Sequence, residues 1–328
     1  MRLIAAMALF GLPLLASAPE VRPKAANVNS TITRGLSFLA KDAMAWKKDH
    51  NCVSCHHAGL VIWSMREAKL RGHAVDEPVL WELTNWVNET AYGTTVEPMP
   101  AGQPKKLSAG SAWFALGFQA DPRPDAASQQ ELKLILSAME SQQTETGGWL
   151  SWPQTRPPFF GESDDTMTAL ATLTVLSPAA KGDAMAKTAR DKGVKWLAET
   201  KTDDDPQSIA LRLIVWKRLG RPKAEWMPLV QRIKERQNED GGWSQEKDMS
   251  SDAWATGQAL YALANAGVRP REAAISRAQD FLMKTQREDG SWPMTSRQRA
   301  RGGARATNLI PITAAGSAWA VLGLVRSR

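Results

Sequence analysis

Apolar positions along this chain recur at helical spacing, and no stretch of weight alternates as a strand does. Ala278, Phe281 and Leu282 mark one such face, and Ile209, Leu213 and Trp216 mark another. The pattern predicts two kinds of helix. Stretches around Arg34, Leu83, Lys192 and Arg277 join an apolar face to Lys, Arg and Glu, as a helix wetted on one side does. Ser108–Gly117 and Ala314–Gly323 are rich in Ala, Gly and Ser, and Thr168–Leu173 and Thr256–Leu263 are looser versions. Small side chains let helices approach closely, as an inner ring demands. Alternation of the two kinds predicts an all-α fold, a single closed α/α toroid of six helical hairpins.

An internal repeat supports that reading. Gln143 precedes Trp149 by six positions, Gln237 precedes Trp243 by six, and Gln286 precedes Trp292 by six, each with Gly before the Trp. Glycine supplies the positive φ that ends a helix and turns the chain. Degenerate units begin at Lys192-Gly193, around Trp86, and at Arg34-Gly35. On these residues the chain resembles the squalene-cyclase and protein-prenyltransferase repeat families over most of 30–325. The resemblance implies the toroid, and it implies that the Gln and Trp tie outer-helix ends to the next turn.

The first residues change where the protein is expected to work. Arg2, an apolar run from Leu3 to Leu15 and Ala16-Ser17-Ala18 have the three regions of a secretory signal peptide over 1–18. A single toroid domain over 19–328, periplasmic or secreted, follows from that. No other run is long enough to span a bilayer, so no transmembrane segment is expected in the mature chain. The net charge of +7 is spread along the chain. That distribution gives no nucleic-acid footprint.

Both cysteines of the chain lie in Cys52-Val53-Ser54-Cys55-His56-His57. Cys-x-x-Cys-His is the attachment spacing of a c-type haem. Cys52 and Cys55 would carry the thioethers and His56 the iron, with His50, His73 and Met99 as candidates for the sixth ligand. This gives the first expectation, an exported toroid used in electron transfer or haem-based redox with a redox partner protein. The same residues also supply soft ligands for zinc, with His57 and Asp252 completing a four-coordinate set. A plain disulfide or redox pair is the third reading.

In a toroid of this kind the inner helices are parallel, and the family's pocket opens at their N-terminal mouth. Cys52–His57, Ser108, Glu162–Asp165, Asp205, Ser250–Asp252 and Thr313 open those helices, so the motif is expected to share a rim with Asp164, Asp165 and Asp252. Asp205 and Ser108 read as N-caps. Glu162-Ser163-Asp164-Asp165-Thr166 resembles the Asp-x-Asp-Asp-Thr-Ala motif of squalene–hopene cyclases, departing from it at Glu162 and Met167. That resemblance implies an enzyme acting on an isoprenoid or similar apolar molecule, with Asp164 as general acid; crowded carboxylates raise one pKa. Those cyclases have two toroids where this chain has one. Protein prenyltransferases imply catalytic zinc, but their ligands come from later repeats. Arg297, Arg299, Arg301 and Arg305 precede the last inner helix and read as a solvated loop or as partners for propionates or an anionic substrate.

Overall fold

The computed structural model describes residues 27–50, 52–90, 109–151, 158, 163–176, 184–298 and 304–328. The expected signal peptide, Met99, Ser108, Glu162, Arg299 and Arg301 lie outside those residues.

Twelve α-helices occur among the described residues. The outer set is α1 (Val28–Asp49), α3 (Glu77–Thr90), α5 (Ala126–Ser141), α7 (Ala184–Glu199), α9 (Lys223–Glu235) and α11 (Ala273–Thr285). The inner set is α2 (Leu60–Leu70), α4 (Ala109–Gln119), α6 (Asp164–Val175), α8 (Pro206–Arg218), α10 (Ala253–Asn265) and α12 (Ile310–Arg326). A π-helical turn over Cys55–Gly59 leads into α2. Local chemistry starts several of them: the side chains of Asp125, Ser163, Asp205 and Asp252 accept the backbone N–H three residues on, which satisfies one orphan donor at each helix start. Outer helices bury one face, whereas α6, α8, α10 and α12 are buried along nearly their whole length.

The inner helices close a ring in the order α2, α4, α6, α8, α10, α12 and back to α2. The tightest approach is between α10 and α12, where a Cβ on Gly257 would come within 2.3 Å of the Trp319 backbone. The predicted repeat residues make the corners. Gln143, Gln237 and Gln286 each donate to the carbonyl four residues on and to a carbonyl of the following outer helix: Ala189, Ala274 and Thr31. Trp149, Trp243 and Trp292 are buried, and each indole N–H donates to the carbonyl ten residues back in its own outer helix, at 2.7–2.8 Å. Since Thr31 belongs to α1, Gln286 joins the last hairpin to the first and shuts the outer ring.

One detail departs from the sequence reading. Lys192-Gly193 and Arg34-Gly35 lie inside helices that begin several residues earlier, not at their starts. Their glycines are there for space: a Cβ on Gly193 would meet the Trp149 ring at 2.9 Å, and one on Gly35 would meet Val321 at 2.7 Å and the Trp292 ring at 3.0 Å. Trp149 and Trp292 thus each pack onto the next repeat's glycine.

Candidate functional site

The N-terminal ends of the inner helices lie together. Ser208 Oγ is 3.3 Å from Ser163 Oγ and 2.7 Å from Thr166 Oγ1, joining the starts of α6 and α8. Gln245 Nε2 donates to the Thr295 carbonyl at 3.0 Å, linking the segments that lead into α10 and α12. The π-turn before α2 packs against α4 and α12. An aromatic hub fills the interior beneath: Trp63, Trp113, Trp254, Tyr261 and Trp319, buried and mostly edge to face with centroids 5.2–6.3 Å apart.

The Cys-x-x-Cys-His-His segment is held by one face of α1. Asp42 and Trp46, four residues apart, both reach it, as an i,i+4 pair on a helix can. Asp42 Oδ2 is 2.9 Å from His57 Nε2. The Trp46 indole donates to the Cys52 carbonyl at 3.1 Å and stacks on His50 and His57, with centroids 3.7 and 4.5 Å away. Ser54 caps the turn by accepting from His57 N at 3.0 Å, and its Oγ lies 3.1 Å from His56 Nδ1. His56 Nδ1 also meets His57 Nδ1. Burial holds the His57 imidazole below its ordinary pKa, with the Asp42 carboxylate opposing part of that effect.

The two thiols are unbridged, with Cys52 exposed and Cys55 buried. The turn begins only at Cys55, behind an extended Ser54, so Cys52 lies outside the turn that carries Cys55 and His56. His73 is at the far end of α2, against Arg328 at 3.2 Å. Eleven helical residues, about 16 Å, separate it from the motif, so it cannot be a sixth ligand. Among the described residues no group of three or more His, Cys, Asp or Glu is placed to hold a metal ion. The expected four-coordinate zinc set of cysteines, His56 or His57, and Asp252 is therefore not assembled; Asp252 is engaged with Gln245 and the start of α10, and His57 with Asp42.

The carboxylates separate by environment. Asp164 is exposed and accepts from Ser151 N at 2.7 Å. Asp165 is buried in an ion pair with Arg212 and accepts from Asp203 N, yet burial outweighs both and pushes its carboxyl above the ordinary range. Asp252 differs from both. It is 4 % exposed, caps α10 through Ala255 N at 2.9 Å and accepts from Gln245 Nε2 at 2.7 Å. Burial pushes its carboxyl up to about 6, with those hydrogen bonds and Arg297 opposing. Arg297 is itself buried, so the reading of that loop as wholly solvated fails at this residue, while Arg305 is exposed. From the sequence Asp252 stood out only as a rim carboxylate and zinc ligand; its burial is what separates it from an ordinary N-cap.

Two family models match the chain: the squalene-hopene cyclase C-terminal domain over residues 223–328 and the prenyltransferase alpha-alpha toroid domain over residues 112–214. Among solved structures, a variant of the type II terpene cyclase MstE from Scytonema, in complex with geranylgeranyl dihydroxybenzoate, is similar at 12 % identity and a TM-score of 0.59, covering 92 % of this chain and 98 % of that one. A protein from Actinoplanes is similar at 14 % identity and 0.60, over 92 % and 99 % of the two chains. A possible GH105-family member from Salmonella enterica is similar at 13 % and 0.59, over 96 % and 97 %. No curated protein matches the chain by sequence. The chain is thus an α/α toroid of the prenyltransferase and terpene-cyclase type.

Proposed function

We propose that this toroid is a squalene-cyclase-like enzyme that protonates an isoprenoid or similar apolar substrate at the N-terminal mouth of its inner helices. The observation that carries the reading is Asp252, a buried carboxyl whose pKa is raised to about 6 at the start of an inner helix. A carboxyl that titrates near 6 keeps a protonated fraction close to neutral pH and can give that proton to an alkene, whereas an ordinary solvated carboxylate is almost wholly ionised there. Two residues on, Trp254 joins the aromatic hub. Ring faces stabilise the positive charge that alkene protonation creates, and the hub's walls exclude water that would quench it. The similarity to the C-terminal domain of squalene-hopene cyclase and to a terpene cyclase supports this reading. In it the general acid is Asp252, while exposed Asp164 and paired Asp165 hold the neighbouring helix starts.

The test incubates the purified protein with squalene and with geranylgeranyl compounds and analyses products by mass spectrometry. Asp252→Asn is expected to abolish a cyclised product and Asp164→Asn to leave it. A product that survives Asp252→Asn refutes the assignment, and no product from the unaltered protein refutes the reading.

A second reading rests on two unbridged thiols, one of them exposed, beside an imidazole. These donor types fit a covalent c-type haem, with Cys52 and Cys55 holding it and His56 as ligand, in a protein exported to the periplasm. The group would supply one-electron transfer. Protein exported from a haem-attaching host should then give a pyridine haemochrome spectrum that Cys52→Ala and Cys55→Ala remove. A colourless protein from a host competent on a control cytochrome refutes this reading.

A further inference from the structure

A cavity lies at the end of the toroid away from the inner-helix starts. It measures about 570 Å³ and is bounded by the last turns of α2, the first half of α3 and the connection from α4 to α5. That size suits a small organic ligand. Three features of its lining define what it would take.

The first is an aromatic platform. Trp81, on the outer helix α3, is 64 % exposed, and Leu70 beside it in the lining is 56 % exposed. The corner tryptophans Trp149, Trp243 and Trp292 are, by contrast, buried. Trp81 therefore makes no comparable contribution to the core, and its indole is available at the cavity rim.

The second is an ordered polar floor. Arg66 is 6 % exposed and fixed: it donates to the Gly117 carbonyl at 2.9 Å and to Thr84 Oγ1 at 3.3 Å, and pairs with Asp121 at 3.2 Å. Its Nε–H, in contrast, has no partner among the described residues. Asp121 also accepts from Arg123 N at 2.9 Å, and Asp125 from Ser128 N at 2.7 Å, so the walls are held before anything binds.

The third is charge balance. Arg66, Lys69 and Arg123 face Glu77, Asp121 and Asp125 in one lining. Lys69 is bound to Glu77 at 2.8 Å, and Arg66 to Asp121. A ligand with a net charge gains nothing from such a site and meets a like charge in any pose. A neutral ligand with many hydroxyls can use acceptors and donors together, and a pyranose ring also offers an apolar C–H face to an indole.

We propose that this cavity binds a neutral sugar, a pyranoside of one or two rings, stacked on Trp81 and hydrogen-bonded by Asn85, Asp121 and Arg123. It is a binding site separate from Asp252 and does not depend on the proposed chemistry there. The sugar's source is either a free saccharide or the end of a glycan polymer.

Saturation-transfer NMR on the full chain tests this with glucose, N-acetylglucosamine, cellobiose and chitobiose at millimolar concentration, beside pull-down on cellulose and on chitin. The expected result is transfer to at least one of these sugars, reduced about tenfold or more in affinity by Trp81→Ala, about 1.4 kcal/mol or more, and partly retained by Trp81→Phe. Circular dichroism should be unchanged, since the side chain is exposed. Glucuronic acid and glucose 6-phosphate should bind no better than glucose. Binding to the soluble sugars identifies the free-saccharide source, and binding to the polymers alone identifies the glycan end. No Trp81-dependent binding to any sugar or polymer overturns the proposal, as does tighter binding of the charged analogues.

Discussion

The three Gln–Trp corners and the corner at residues 50–57 solve the same problem with different chemistry. Each must take the chain from an outer helix into an inner one and tie it to its neighbours. At Gln143–Trp149, Gln237–Trp243 and Gln286–Trp292 the work is done by neutral groups: a carboxamide between two carbonyls, a buried indole, and a glycine pressed against the next helix. At the first corner Trp46 holds the Cys52 carbonyl, and the space below is filled by His56, His57 and Asp42, with an exposed thiol at the edge. The Gln–Trp ties themselves carry no titrating group. The first corner instead buries two imidazoles beside a carboxylate and presents a thiol at its edge.

The largest effect that would test this contrast is Trp292→Ala. It opens a cavity at the closure of the ring and removes an indole hydrogen bond, so about 3–5 kcal/mol should be lost, read as a lower denaturation midpoint. A loss no greater than at the first corner would show that the Gln–Trp corners are not the structural ones.

Next is Asp252, beside the Trp243 corner. Its carboxyl rises from 3.8 to about 6 on folding. Stability from this group is complete below pH 4 and falls as pH rises towards 6, because there the unfolded chain releases a proton that the folded one keeps. The loss is about 3 kcal/mol, and Asp252→Asn should flatten that part of a stability-versus-pH profile.

At the first corner the sign is opposite. His57 is held neutral by burial, so its contribution is present above its ordinary pKa of 6.5 and is lost on acidification. Asp42→Ala should cost about 1–3 kcal/mol through the lost charge-assisted hydrogen bond, and should make the acid-side loss steeper, since Asp42 now holds that pKa up. Denaturant titrations at pH 7.5 and 5.5 would measure both. The smallest effect is expected of Cys52→Ser, exposed and outside the turn: within about 0.5 kcal/mol. A large loss there would mean that Cys52 is part of the packing.

Much of the fold was legible in the chain because its causes are local or repeated. Helix periodicity shows which face is wet, and a glycine four residues after a glutamine leaves few options for the backbone. The N-cap at Asp205 and the helix stop at Gly72 follow from the residues themselves. The site was less legible. Asp164 stood out because three acids cluster there, yet it faces solvent and its neighbour Asp165 is consumed by Arg212. Asp252 was read as a rim carboxylate and zinc ligand, and Arg297 as part of a solvated loop or a partner for an anion.

The sequence by itself determined the helical class, the six-hairpin repeat and the identity of the residues that lock the corners, since these depend on spacing and on what single residue types can do. Only the tertiary structure decided that Gln286 reaches Thr31 to shut the ring, that Ser54 separates Cys52 from Cys55, that burial raises the Asp252 carboxyl to about 6, and that Trp81 stands at a charge-balanced cavity. Each of these depends on neighbours far apart in the chain, because burial and electrostatic environment are set by what packs around a group, not by the residues beside it in sequence.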